Sequence, residues 1–143
     1  MRDLKTYKID EYKQKKIKEK IISSLKTKKE IKFAYLHGSF LENSFRDIDV
    51  AVYLKKVGNK KEVLKYELSL ERELEEITGF LVDIRIINHA PLSFRFKVIK
   101  DNILLFSKDG GIRSDFECLS IVEYHDFNFL RKRYGREALG IKI

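Results

Sequence analysis

The stretch HGSFLENSFRDIDVAVYL, residues 37–54, restricts what this chain can fold into more than any other. Its second half, DIDVAVYL, alternates acid with aliphatic and then turns continuously apolar, as a strand does on entering a core. Successive strand side chains face opposite ways, so Asp47 and Asp49 share one face while Ile48 and Val50 point into the core. Two like charges about 7 Å apart along one strand repel each other, and the placement calls for a compensating cation. Asp83, inside the apolar run LVDIRI, supplies a third carboxylate where an unpaired charge would be costly. If the two strands are neighbours, the three acids converge. Hard oxygen donors gathered at a sheet edge form the kind of site that holds magnesium together with substrate phosphates.

Gly38 and Ser39 complete the pattern from the other side. A glycine after the β-rich run IKFAYLH permits close backbone approach, and a short helical turn there would aim free N–H groups and the Ser39 hydroxyl at a phosphate. Ser39 as a simple helix cap is the plainer alternative. Arg46, beside the acids, is read either as a phosphate ligand or as an exposed charge. Asp83 has its own alternative, an ion pair with Arg85 on the same strand face. His37 reads as a strand-end residue, with no His or Cys at ligand spacing around it, and Cys118 with His125 is too sparse a set for zinc.

Helical and strand periods surround this site. The spacing predicts an amphipathic helix through Ile17, Ile21 and Leu25, strands at 31–37, 47–54 and 80–88, and a helix over 60–79 that stops at Gly79. That helix carries Val63, Leu64, Leu68, Leu70, Leu74 and Ile77 near helical period. Pro91 opens a short helical pattern, residues 102–111 read as a last strand with a turn after it, and a final helix runs from Ser114 to about Tyr134. The fold class is α/β or α+β, a small mixed sheet with helices packed on it. One domain spans 1–143: an N-terminal amphipathic helix in 1–28, a catalytic core in 30–108 and a C-terminal helix in 112–143 that is a candidate docking element. Tyr124, Phe127, Phe129 and Tyr134 spread around that last helix, which leaves a wide buried face and a partner-docking surface both open.

Composition narrows the class of partner. The formal charge of +8, from 30 Lys and Arg against 22 Asp and Glu, favours anionic partners. The lysines of the first helix read as a solvated face, so nucleic acid is possible but not favoured. A single cysteine and no apolar run of spanning length point to a reduced, cytoplasmic protein with no membrane association.

At Gly38-Ser39, Asp47-Ile48-Asp49 and Asp83 the sequence resembles the minimal nucleotidyltransferases of the polymerase-beta superfamily, whose signature is Gly-Ser, a gap, Asp-x-Asp and a later carboxylate on another strand. The gap here, FLENSFR, is shorter than the family commonly shows. The ending DFECLSIVEYHDFNFLRKRYGREAL is similar to the C-terminal helix of MntA-type antitoxins, which pair with HEPN ribonuclease toxins. The resemblance covers roughly residues 30–135. It implies a polymerase-beta-like fold and transfer of AMP from ATP, with a pair of magnesium ions, to a tyrosine hydroxyl of a HEPN toxin within a hetero-oligomer. Asp47, Asp49 and Asp83 would ligate the metal, with Asp83 at the acceptor side and helping to accept the proton. Gly38 and Ser39 would hold the β- and γ-phosphates. A rival reading keeps the fold without the chemistry, so that the protein neutralises its partner by binding alone. A third, a small basic RNA-binding module, lacks a recognised motif.

Overall fold

The computed structural model describes residues 7–38, 44–45, 47–101 and 103–139. Along the chain run β1 (Tyr7–Lys8), α1 (Glu11–Lys26), β2 (Ile31–His37), β3 (Ser44–Phe45), β4 (Ile48–Leu54), α2 (Lys60–Thr78), β5 (Val82–Ile86), α3 (Leu92–Lys100), β6 (Ile103–Ser107) and α4 (Gly110–Leu139). The main sheet has the order β5-β4-β2-β6. β4 and β5 are parallel, whereas β2 is antiparallel to both β4 and β6. A separate two-stranded ribbon pairs Tyr7 with Phe45 and Lys8 with Ser44.

Local chemistry sets the helix ends. The Asp10 side chain accepts the Lys13 N–H at 2.7 Å and opens α1, and Asn59 does the same for α2 by accepting the Glu62 N–H at 2.9 Å. α2 stops where Gly79 turns left-handed at φ +79° and donates its N–H to the Glu75 carbonyl, a conformation that glycine adopts without steric cost. Gly110 and Gly111, expected as a turn, instead lie in the first turn of α4. The Asp109 carboxylate accepts the N–H groups of Gly111 and Ile112 there, so the helix begins earlier than its apolar pattern does.

The sheet is covered on both sides. One face packs Ile48, Val50, Val52, Val82 and Ile84 against Ile17, Ile21 and Leu25 of α1 and Leu70 and Leu74 of α2. The opposite face packs Phe33, Tyr35 and Ala51 against Val98 of α3 and Phe116 of α4. Leu64, Leu68 and Ile77, which share the helical pattern of α2, are exposed: the helix uses the face of Leu70 and Leu74, Leu64 and Leu68 turn away from it, and Ile77 lies on that face but past its buried part. Arg95 ties α3 to α4, donating to Ser120 Oγ at 3.4 Å and lying 3.8 Å from the Glu123 carboxylate. Further along α4, Leu119, Val122, Phe127, Phe129 and Leu130 are exposed, which decides against one wide buried face.

The β5 margin of the sheet is closed by side chains. Glu75, Glu71 and Glu67 of α2 accept the N–H groups of Val82, Ile84 and Ile86 at 3.0, 2.9 and 2.9 Å. Four helical residues rise about 6.0 Å and two strand residues about 6.6 Å, so a glutamate at every fourth position meets every outward amide of an antiparallel neighbour. Among the described residues no helix is long and apolar enough to cross a membrane.

Candidate functional site

The strand register assembles the site. His37 of β2 stands opposite Asp49 of β4, and Asp49 stands opposite Asp83 of β5. Neighbouring strands are about 4.8 Å apart, so three polar side chains form one row across the sheet. Ile48, Val50, Val82 and Ile84 are buried toward α1 and α2, so alternation sends Asp49 and Asp83 to the α3 side. There a cleft of about 230 Å³ is lined by His37, Gly38, Asp49, Asp83, Arg85, Phe94, Lys97, Val98 and Asp101.

Gly38 follows β2 with φ +81°, and a Cβ at that position would run into the Asp49 Oδ2 atom. The backbone therefore lies directly against that carboxylate, an approach only glycine allows. His37 closes the row at the other end, with its ring edge-on to Phe94 at 5.6 Å. Burial lowers its pKa to about 4, opposed by the Asp83 charge and aided by Lys97 and Arg85, so the imidazole is neutral at pH 7. Arg85 is not in an ion pair with Asp83 among the described residues. Its guanidinium carbon lies over the Phe94 ring, 4.9 Å from the centroid.

Among the sequence-predicted residues, Gly38, Asp49 and Asp83 meet in the cleft. Asp47 precedes β4 by one residue, is half-buried and does not line the cleft. The pairing of β4 with β5 starts at Ile48 and Val82, so register holds Asp49 but not Asp47. Ser39 and Arg46 lie outside the described residues. Among the described residues no three His, Cys, Asp or Glu side chains stand close enough to hold a metal by themselves. Two carboxylates on adjacent strands still suit magnesium, which binds through one or two carboxylates and completes its shell with water and substrate phosphate. Periodicity missed the α3 wall of the cleft. Its signal was there in Phe94, Lys97, Val98 and Asp101, which sit at i, i+3, i+4 and i+7 and so on one helix face.

A glycine turn thus lies against two strand carboxylates on a mixed sheet flanked by helices. The chain belongs to the polymerase beta nucleotidyltransferase family, whose model matches residues 19–110. Its fold is shared with solved toxin–antitoxin structures. One is a complex of a tri-AMPylated HEPN toxin with MNT antitoxin from Shewanella oneidensis, 20% identical, with TM-score 0.69, covering 88% of this chain and 98% of that one. Another is the MntA–HepT toxin–antitoxin, 18% identical with TM-score 0.68 and coverage of 87% and 98%. A third is a toxin–antitoxin with AMP-PNP, 19% identical with TM-score 0.69 and coverage of 85% and 98%. No curated protein matches the chain.

Proposed function

We propose that this chain is a cytoplasmic antitoxin that transfers AMP from ATP, with magnesium, to a tyrosine hydroxyl of a partner HEPN ribonuclease in a hetero-oligomer. The observation that carries the reading is the register of Asp49 on Asp83 in a cleft that also holds Gly38. Kinship of fold with a complex that holds a tri-AMPylated HEPN toxin, and with a toxin–antitoxin that holds AMP-PNP, supports the choice of partner and nucleotide.

Asp49 and Asp83, joined by Asp47 from the approach to β4, would hold magnesium. Bound there, the ion supplies Lewis-acid polarisation of phosphate oxygens. The backbone at Gly38, with Ser39 after it, binds the β- and γ-phosphates, and the missing Cβ lets them approach the acids. Asp83, on the β5 side, orients the acceptor hydroxyl and takes its proton as the tyrosine oxygen bonds to the α-phosphorus, the α–β bridging bond breaks and pyrophosphate leaves. α3 walls off one side of this space and limits access of water.

The test uses ATP labelled at the α-phosphate, magnesium and the cognate HEPN protein. Label should pass to the HEPN protein and be lost with the Asp47→Asn, Asp49→Asn double variant. Undiminished labelling by that variant overturns the proposal. The exposed stripe of Leu119, Val122, Phe127, Phe129 and Leu130 favours a second reading, neutralisation by binding alone. Under that reading the double variant neutralises the toxin as well as the wild type, without labelling in either.

A further inference from the structure

The cleft carries both signs of charge, with Asp101 four residues after Lys97 on the α3 side. Asp49 and Asp83 occupy one cross-strand row, and two residues further along β5 Arg85 stands opposite Ala51. Lys97 lines the same cleft from α3, three residues after Phe94. Both cations are exposed, and neither is ion-paired to Asp49 or Asp83 among the described residues. An arginine two positions from an aspartate on the same strand face would be expected to swing onto it. Arg85 lies over Phe94 instead, a contact to the guanidinium carbon that leaves its N–H groups available for an oxyanion.

We propose that Arg85 and Lys97 form an oxyanion site on the β5–α3 wall, which takes a phosphate group of the nucleotide and is distinct from the Gly38 turn. The proposal rests on the nucleotidyl-transfer reading for the identity of its ligand. Its chemistry is a planar fork and a point charge converging on phosphate oxygens, beside acids that suit the counter-cation. The phosphate comes either from the pyrophosphate end of ATP or from the AMP moiety that is transferred.

Calorimetry with inorganic pyrophosphate, AMP and ATP–magnesium separates these sources, using wild type, Arg85→Gln, Arg85→Lys and the Arg85→Gln, Lys97→Gln double variant. Both residues are exposed, so unfolding midpoints should match wild type. The double variant should weaken either pyrophosphate or AMP by about tenfold or more, and the anion affected identifies the source. Arg85→Lys should recover only part of that loss, because an ammonium keeps the charge but not the fork. Unchanged affinity for both anions in the double variant, or no binding of either anion to wild type, overturns the site, even where ATP–magnesium binds normally and the nucleotide reading stands. Pyrophosphate binding that depends on Arg85 in a wild-type protein unable to bind ATP–magnesium has the opposite meaning: the oxyanion site holds and the proposed function falls.

Discussion

The two faces of one four-stranded sheet have different uses. Toward α1 and α2 the strands present an aliphatic layer of Val, Ile and Leu with hardly any exposure. Toward α3 and α4 the layer is smaller and aromatic, with Phe33 stacked on Tyr53 at 4.6 Å and both against Phe116, and it gives way to the cleft at the His37–Asp49–Asp83 row. Because side chains alternate along β4 and β5, each residue that fixes the register on the dry face positions a polar neighbour on the other. Stability and chemistry therefore share strands without sharing side chains, and substitutions on the two faces should have separable effects.

The sharpest break in that separation should come from Asp83→Asn, which touches only the cleft. AMP transfer should fall by at least about 10²-fold while urea unfolding stays near wild type. Leu74→Ala on the other face should do the reverse, costing about 3 kcal/mol in urea unfolding with little change in the KM for ATP, since the fully buried side chain leaves a cavity. His37, on the cleft face, makes stability depend on pH. Its folded pKa of about 4 lies below the ordinary 6.5, so the unfolded chain binds the proton first as pH falls. The stability it contributes is complete above pH 6.5 and is lost between 6.5 and 4, amounting to about 2 kcal/mol in the metal-free protein. Unfolding measured across that range should flatten in His37→Phe. Smallest is Glu71→Ala, which removes the acceptor for the Ile84 amide; it should cost about 1 kcal/mol and speed hydrogen exchange at that amide.

Long periodic segments were legible in the sequence. β2 runs Ile31–His37 as expected, β4 begins one residue after Asp47, and α2 ends at the glycine that stops it. The pairing of Asp49 with Asp83 was legible too, as a convergence conditional on the strands being neighbours, because a buried acid in an apolar strand needs a reason. Other features depend on partners distant in sequence. β1 and β3 have two residues each, too few for any period, and exist because each pairs with the other. Leu64 and Leu68 fit a helical pattern, yet the face that packs was chosen by β5 and α1 rather than by spacing. The Arg85 alternative failed for the same kind of reason: Phe94, from the following helix, offers the guanidinium a platform that the strand sequence does not reveal.

The three glutamates along α2 bear on how this molecule behaves in a crowd. With the outward amides of Val82, Ile84 and Ile86 already engaged, that border offers no template on which a stray extended segment can nucleate, and its carboxylates repel another acidic border. The opposite border, β6, carries exposed Ile103 and Leu104. Edge-to-edge pairing of copies under heat or partial unfolding should therefore start at β6 and, where β5 stays covered, stop at a pair.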